Sequence, residues 1–263
     1  MSIKAKIETK NLKRILEAAN AASDEVLFKF GKEGVEFRQM DPAQICMVAA
    51  VIPKSQFTEY SVGDQAVLTE GAPAPADHEM VFVNVAKLVS AVGNLGDVIE
   101  MEIAKGGNRM NFASTGLGVK KRFSVPLIDA GKNDLGKLPK IEPTVTVVMD
   151  TADFKKTFRE LGAMTDAAHV SFSVADGVFA IESVGDSNSA DVKFDKTSKS
   201  VKSMDGELVK LTKSAFPVKS LNALFGAIKS SSIRLQLCTN KPIIIKDTEW
   251  DISALLAPRI DTD

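Results

Sequence analysis

The chain has 263 residues, of which 44% are hydrophobic and 25% charged, and this composition is typical of a soluble globular protein with room for two domains. No apolar run approaches the roughly 18 residues that a membrane span needs, and the N-terminal MSIKAKIETK lacks the hydrophobic region of a signal peptide, so we expect a cytoplasmic or equivalent location. The net charge of -1 excludes a protein that coats nucleic acid by bulk positive charge, although it permits a local basic surface.

The first half of the chain predicts two helices separated by strands. Hydrophobic residues recur at helical spacing over 12–19, and Thr9 is the expected N-cap. Alternation of hydrophobic and polar residues predicts a β-hairpin over 26–37. A second helix is expected over 85–92, and a further hairpin begins at 99–103.

The second half repeats this order. A helix is expected over 154–161, with Thr151 in the place of Thr9, and a hairpin follows over 170–181. Hydrophobic residues at helical spacing return over 221–228, and alternation resumes from residue 233. The same succession of elements in both halves indicates an internal duplication.

Two similar phrases support the duplication. FSVPLIDAG covers residues 123–131 and LLAPRIDTD covers residues 255–263, and both contain the pattern V/A-P-x-I-D. The stretch between the halves is rich in glycine and proline and has little periodicity, which predicts an exposed crossover. We therefore expect an α+β protein with an N-terminal domain over 1–125, a connector over 126–142 and a C-terminal domain over 143–263.

The sequence offers little that could carry catalysis. Cys46 and Cys238 stand in apolar surroundings and are expected to be buried free thiols. His78 and His169 have no partner at metal-ligand spacing, and no phosphate-binding glycine loop is present. The stretch GAPAPADHE, residues 71–79, is expected to form a stiff loop. We predict no enzymatic activity, no metal and no cofactor.

Basic residues are the more informative signal, because they recur at matching positions in both halves. Ordinary solvated helix faces would also carry lysines, but the repetition favours a functional surface. Lysines on helices without interleaved aromatic residues suit contact with phosphates and not base reading or single-strand stacking. The candidate phosphate-facing residues, which the resemblance given next would place toward DNA, are Lys10, Lys13, Arg14, Lys87, Lys155, Lys156, Arg159, Lys219 and Lys229.

Three stretches together resemble the DNA sliding clamp known as proliferating cell nuclear antigen, with the archaeal members most similar. They are GVEFRQMDPAQICMVAAVIPKSQFTEY over 34–60, the terminal LLAPRID, and the connector. The resemblance implies a ring of three subunits, each with two duplicated clamp domains, in which helices line the inside around duplex DNA and antiparallel sheets lie outside.

The resemblance also implies two further sets of residues. Strand edges of neighbouring subunits would pair around 108–114 and 177–183, through Asn108, Met110, Phe112, Ser114, Gly177, Phe179, Ile181 and Ser183; two internal strands are the alternative that the residues leave open. A pocket for partner proteins would be formed by Met40, Ile45, Leu127, Leu135, Leu138, Pro242, Leu255, Ala257 and Pro258.

The function implied is that of a processivity factor, which tethers DNA polymerase and other replication or repair enzymes to double-stranded DNA without reading its sequence. Expected partners are further copies of the chain in a homotrimer, a clamp loader, and polymerase, flap endonuclease and ligase, which would dock through short PIP-type peptides. The location would be the cytoplasm of an archaeal-type cell, or the nucleus if the cell is eukaryotic. The alternatives are a subunit of a heterotrimeric replication or checkpoint clamp, a small-molecule enzyme, and a β-rich scaffold without a DNA role.

Overall fold

The structure, a computed structural model, divides into two compact units, and each unit is described by itself. The first comprises Met1–Gln39 and Ala49–Lys137, and the second comprises Met40–Val48 and Leu138–Asp263. Apart from His78 and Glu79, the loop predicted over 71–79 lies outside the described residues. The structure describes residues 2–63, 78–116, 118–131 and 134–259.

The helices of the described residues lie where hydrophobic periodicity predicted them. Each presents a buried apolar stripe and an exposed polar face, as expected for an amphipathic helix on a sheet. A short 3-10 helix covers Lys54–Gln56. The α-helices are α1 (Thr9–Asn20), α2 (Val85–Val92), α3 (Thr151–Met164) and α4 (Val218–Ala227).

The strands fall into two successive series. In the first half they are β1 (Ile3–Glu8), β2 (Glu25–Gly31), β3 (Gly34–Met40), β4 (Cys46–Pro53), β5 (Glu59–Val62), β6 (His78–Asn84), β7 (Val98–Ile103), β8 (Arg109–Gly116) and β9 (Val119–Pro126). In the second half they are β10 (Val145–Asp150), β11 (His169–Ala175), β12 (Val178–Val184), β13 (Ser189–Asp195), β14 (Val201–Gly206), β15 (Thr212–Pro217), β16 (Ser232–Leu237), β17 (Ile243–Asp247) and β18 (Asp251–Leu256).

The order of strands in the sheets is the same in both units, which confirms the duplication. The first unit has the orders β5-β1-β7-β8-β9 and β4-β3-β2-β6. The second has β14-β10-β16-β17-β18 and β13-β12-β11-β15, so that each strand is replaced by the strand nine places later. In the second unit the start of β4, residues 46–48, lies beside β18.

The two similar phrases of the sequence perform the same task in the two units. After β9, Ile128 forms an isolated antiparallel bridge with Phe82 on β6. After β18, Arg259 forms the corresponding bridge with Ala215 on β15. Each phrase therefore carries the chain from the last strand of its unit to the strand that precedes the second helix. The end of the second phrase, residues 260–263, lies outside the described residues.

The predicted N-caps are wrong by one residue. Glu8 and Asp150 hold the N-cap positions, and the Asp150 carboxylate accepts hydrogen bonds from the backbone N–H groups of Ala152 and Asp153. The Thr9 hydroxyl instead donates to the carbonyl oxygen of Gly96, in the loop after α2. A carboxylate at the end of a strand was available to α3, so it took the capping role that we had assigned to a hydroxyl.

Candidate functional site

The cations of α1 occupy the side of the helix away from its buried stripe. Leu12, Ile15 and Leu16 face the core, whereas Lys13 is exposed. The Lys13 ammonium lies 3.8 Å from the carboxylate of Glu17, one turn further along. Such exposed pairs contribute little to stability, so this lysine remains available to an external phosphate.

The remaining cations of α1 are Lys10, in its first turn, and Arg14, in its middle. The ammonium of Lys10 is exposed and lies 2.8 Å from the Glu8 carboxylate, which raises the pKa of Lys10 above its usual value by a hydrogen bond and by charge attraction. Arg14 is half-buried. All three predicted cations of this helix therefore reach the surface of the first unit at least in part.

Helix α2 is held beside the start of α1. The Asn84 side chain accepts a hydrogen bond from the backbone N–H of Lys87, which caps α2 and orders its first turn. The backbone N–H of Thr9 donates to the carbonyl of Asp97, 2.8 Å away, and thereby fixes the start of α1 against the loop that follows α2. Lys87 itself is exposed. Both helices of the first unit therefore expose cations from positions that backbone hydrogen bonds define.

Helix α3 carries three cations in two different environments. Lys156 and Arg159 are exposed, and the Lys156 ammonium lies 3.8 Å from the Glu160 carboxylate. Lys155 is half-buried, and its ammonium donates to the carbonyl oxygen of Ile228. Sequence reasoning placed these three lysine and arginine residues on one surface, and the structure separates Lys155 from the other two by its burial.

The surroundings of Lys155 change its acidity. Burial lowers the pKa of Lys155 to about 8, and the positive charge of Lys229 acts in the same direction, while the carboxylate of Asp247 opposes them. Asp247 is itself buried and accepts hydrogen bonds from the backbone N–H groups of Lys229, Ser230, Glu249 and Trp250.

Asp247 thus orders the loop that carries Lys229 after α4, while Lys219 is exposed in the first turn of that helix. The sequence analysis missed Asp247. Its only signal in the sequence was an acidic residue two positions after a run of three isoleucines.

The predicted partner pocket is divided between the units. In the second unit, Met40 and Ile45 are exposed hydrophobic residues, with 40% and 39% of their surface accessible. The backbone N–H of Ala257 donates to the carbonyl of Ile45, 2.8 Å away, and places the end of the chain beside this segment. Pro258 is half-buried, whereas Leu255 is buried in β18.

A tight turn shapes the segment that carries Met40 and Ile45. The Asp41 carboxylate accepts hydrogen bonds from the backbone N–H groups of Ile45 and Cys46, at 2.9 and 2.8 Å. Gln44 adopts a left-handed conformation with φ of 58°. The turn therefore presents the Ile45 side chain to solvent. Leu138, with 42% of its surface accessible, and the half-buried Pro242 belong to the same unit.

Two of the predicted pocket residues belong to the first unit. Leu127 is half-buried, and its backbone N–H donates to the carbonyl of Asn108. Leu135 is buried, with 7% of its surface accessible. Next to it, the Arg38 guanidinium donates to the carbonyl oxygen of Gly136 at 2.7 Å. Arg38 therefore anchors the connector, a role that its place in an alternating strand did not reveal.

The expectation that 108–114 and 177–183 are strand edges is wrong. The stretch 108–114 falls mainly in β8, which pairs with β7 and β9, and 177–183 falls mainly in β12, which pairs with β11 and β13. Both are interior strands, so neither offers free backbone groups to a neighbour. The edge strands next to β8 and β12 are β9 and β13. Alternation of hydrophobic residues marked strands correctly, but it carries no information on which strand pairs last.

No group of three or more metal-ligating side chains occurs among the residues that the structure describes. Cys46 and Cys238 are both buried free thiols, as predicted. Burial and the nearby Asp41 carboxylate raise the pKa of Cys46 to about 12, which keeps this thiol protonated. In the described part of the chain, no helix combines the length and the apolar character needed to cross a membrane.

Comparison with known proteins identifies relatives along the whole chain. A family model described as "Repair protein Rad1/Rec1/Rad17" matches residues 3–237. The chain is 25% identical to "DNA polymerase sliding clamp 1" of Thermococcus kodakarensis, over 94% of each chain. It is 24% identical to the DNA polymerase sliding clamp of Methanococcus maripaludis, over 98% of this chain and 99% of that protein.

Solved structures confirm the predicted clamp fold. The proliferating cell nuclear antigen of Thermococcus kodakaraensis superimposes with a TM-score of 0.83 at 16% identity, covering 98% of this chain and all of that one. The structure titled "C-terminal region of FEN-1 bound to A. fulgidus PCNA" matches with a TM-score of 0.81 at 22% identity, over 99% of this chain and 100% of that chain.

Proposed function

This chain belongs to the clamp family of the Rad1/Rec1/Rad17 repair proteins, and from that membership we propose that it is a DNA sliding clamp. It encircles duplex DNA and tethers DNA polymerase and other replication or repair enzymes to it, in the compartment that holds the DNA. The role is not catalytic. A separate clamp loader opens the ring, and the loader is the protein that binds ATP.

The observation that carries this proposal is that two strands, β9 and β13, each have a neighbouring strand on one side only. In the second unit, the last strand β18 lies beside the start of β4. The corresponding strands under the duplication are β9 and β13, and in one chain both are sheet edges. Pairing β9 of one chain with β13 of the next would repeat the β18–β4 arrangement and satisfy both edges. Such a head-to-tail interface closes into a ring after a fixed number of copies.

The charges of the two edges favour this pairing. The exposed residues Lys120, Lys121 and Arg122 make β9 strongly basic. Strand β13 carries two exposed carboxylates, Asp191 and Asp195, and one exposed ammonium, Lys193, which lies 3.4 Å from the Asp191 carboxylate, so its net charge is negative. Opposite charges across an interface steer association and set its register. We propose a homotrimer built on this contact, in place of one built on β8 and β12.

The basic faces of the helices make the contact with DNA. Exposed lysines and arginines on α1 to α4 offer charge to phosphates without reading bases, which suits a protein that must slide. The DNA-facing set proposed from the sequence is retained, with Lys155 in a supporting position because its ammonium is engaged with Ile228.

Partner proteins dock on the segment around Ile45 and the end of the chain. The exposed side chains of Met40, Ile45 and Leu138 supply apolar contact, and backbone groups of the connector or the terminal tail can pair with an extended peptide. A few apolar anchors should supply most of the affinity. DNA polymerase, flap endonuclease, ligase and the clamp loader are the proposed partners.

A second candidate function follows from the description of the family as repair proteins. In that case the chain is one subunit of a heterotrimeric clamp, and β9 and β13 meet strands of different chains. Sedimentation of the purified chain distinguishes a homotrimeric clamp from a subunit of a heterotrimeric one. A homotrimer has three times the 28.2 kDa mass of the chain, whereas an obligate subunit of a mixed ring sediments as a monomer at micromolar concentration.

A further inference from the structure

The core of the first unit contains an apolar cavity of about 30 Å³. Its wall is formed by hydrophobic side chains of α1, α2 and the strands around them, including Leu12, Leu16, Val35, Val83 and Met110. With the exception of Phe57, all residues of the wall are buried. The cavity therefore lies inside the packed core of one unit and does not belong to either surface described above.

The second unit carries larger side chains at the corresponding helix positions. Leu12 and Leu16 lie three and seven residues after the start of α1, and Phe154 and Phe158 lie at the same distances from the start of α3. Both phenylalanine rings pack edge to face on Phe225 of α4, with centroids 4.8 and 4.9 Å away. Two leucines of the first unit are thus replaced by an aromatic cluster.

One position on the strands shows the same replacement. Val83 pairs with Val26, and in the second unit Phe216 pairs with Val170 at the equivalent place before the helix. Val35 of β3 corresponds to Phe179 of β12, but here the ring is only exchanged across the hairpin, because Val35 lies opposite Phe30 and Phe179 lies opposite Val174. Core packing normally leaves few voids larger than a water molecule. At Leu12, Leu16 and Val83 the wall of the cavity is therefore aliphatic where the second unit carries phenylalanine rings.

We propose that this cavity is a binding site for one small apolar molecule without hydrogen-bonding groups, such as a rare-gas atom or a short hydrocarbon. A volume of about 30 Å³ exceeds the roughly 10–15 Å³ that a water molecule needs by this measure. Water also needs two to four polar partners, and a hydrophobic wall provides none. An apolar guest gains the dispersion contacts that the empty wall lacks.

Phe57 lies at the proposed entrance to the cavity. It follows the 3-10 helix Lys54–Gln56 and is half-buried, so its ring separates the cavity from solvent. Its centroid lies 4.9 Å from that of Tyr60. The Tyr60 hydroxyl lies 2.8 Å from the carbonyl oxygens of both Gly31 and Gly34, which holds this second ring in place. Movement of the Phe57 side chain is therefore the proposed route of entry.

Xenon is the probe for this site. In the full chain with labelled methyl groups, xenon pressure should cause saturable shifts of the Leu12, Leu16 and Val35 methyl resonances and leave those of Leu221 and Leu235 in the second unit unshifted. Val83→Phe installs the residue found at the equivalent place in the second unit and should abolish the shifts. Val35→Phe fills the cavity from another strand. It replaces Val83→Phe as the filled variant if Val83→Phe does not fold.

Two converse variants complete the experiment. Phe216→Val removes the ring from the second unit and should create saturable xenon shifts there. Phe57→Ala should accelerate exchange between free and bound xenon by tenfold or more while leaving the shifts in place. Unsaturable shifts in the wild type, equal shifts in both units, or shifts that persist in both filled variants would overturn the proposal.

Discussion

The ammonium group of Lys155 on α3 donates a hydrogen bond to the carbonyl oxygen of Ile228, the residue that follows α4. The contact joins the two helices of the second unit at the place where α4 ends. Burial lowers the pKa of Lys155 to about 8, with a further contribution from the positive charge of Lys229. A lysine of the proposed DNA-facing set is therefore also a structural link whose charge changes near neutral pH.

The first prediction concerns stability against pH. Between about pH 8 and the ordinary lysine value of 10.5, Lys155 is protonated in the unfolded chain and largely neutral in the folded one. Because the unfolded state binds more protons there, the free energy of unfolding should rise with pH over this window through this residue. Urea unfolding at several pH values should show that Lys155→Met loses this rise. Lys156→Met, at the exposed neighbouring position, should keep it.

The second prediction concerns retention on DNA. Lys13→Glu together with Arg159→Glu should weaken retention on circular duplex DNA, because each lost phosphate contact removes counterion release. The slope of log affinity against log salt should fall by about 0.9 per contact. Lys54→Glu, on the 3-10 helix that lies outside the proposed surface, is the matched control. Equal retention of the double variant and the control at every salt concentration would contradict the DNA-facing assignment.

The third prediction concerns ring closure. Lys120→Glu with Arg122→Glu reverses the charge of the β9 edge, and we expect the protein to sediment as the 28.2 kDa chain because like charges now oppose Asp191 and Asp195 across the interface. Adding Asp191→Lys and Asp195→Lys should restore the trimer in part. Lys32→Glu, in the turn between β2 and β3, should leave the trimer intact. A trimer that survives the β9 reversal would place the interface elsewhere.

The fourth prediction concerns partner docking. Ile45→Glu and Ala257→Asp should each reduce binding of a peptide from the C-terminal region of FEN-1 by tenfold or more, since each places a charge among apolar contacts. Leu135 is less suitable, because it is buried and its replacement would disturb the core. Val51→Glu, at another exposed hydrophobic residue, is the control. Calorimetry measures all three, and wild-type affinity in both pocket variants would reject this pocket.

The fifth prediction concerns two glycines. Gly34 has φ of 143°, and a Cβ atom there would lie 2.1 Å from the carbonyl oxygen of Ile52. Gly34→Ala should therefore destabilise the first unit by several kcal/mol, on the order of the larger effects of single substitutions. Gly93 ends α2 in a right-handed conformation with open space around it. Gly93→Ala should be neutral or stabilise by about 0.4–1 kcal/mol, as thermal unfolding of both variants can show.

Several features of this protein follow from the sequence alone, because they depend on short-range patterns. The spacing of Leu12, Ile15 and Leu16 specifies an amphipathic helix wherever the chain lies. The duplication is visible because both halves repeat the same succession of periods. The clamp family was recognisable from the stretch over 34–60 and the terminal LLAPRID, and the family model that matches residues 3–237 confirmed it.

Other features were decided only by tertiary structure, because they depend on which distant segments meet. Charged residues at 120–122 are typical of an edge strand, but only long-range pairing showed that β9 lies at the edge of its sheet and that β8 lies inside it. Lys155 and Lys156 are adjacent in sequence, yet only the packing of α3 beside the end of α4 buries the first and leaves the second exposed. The cavity of the first unit likewise reflects how Val35, Val83 and Leu16 converge from three separate elements, a volume that no local pattern records.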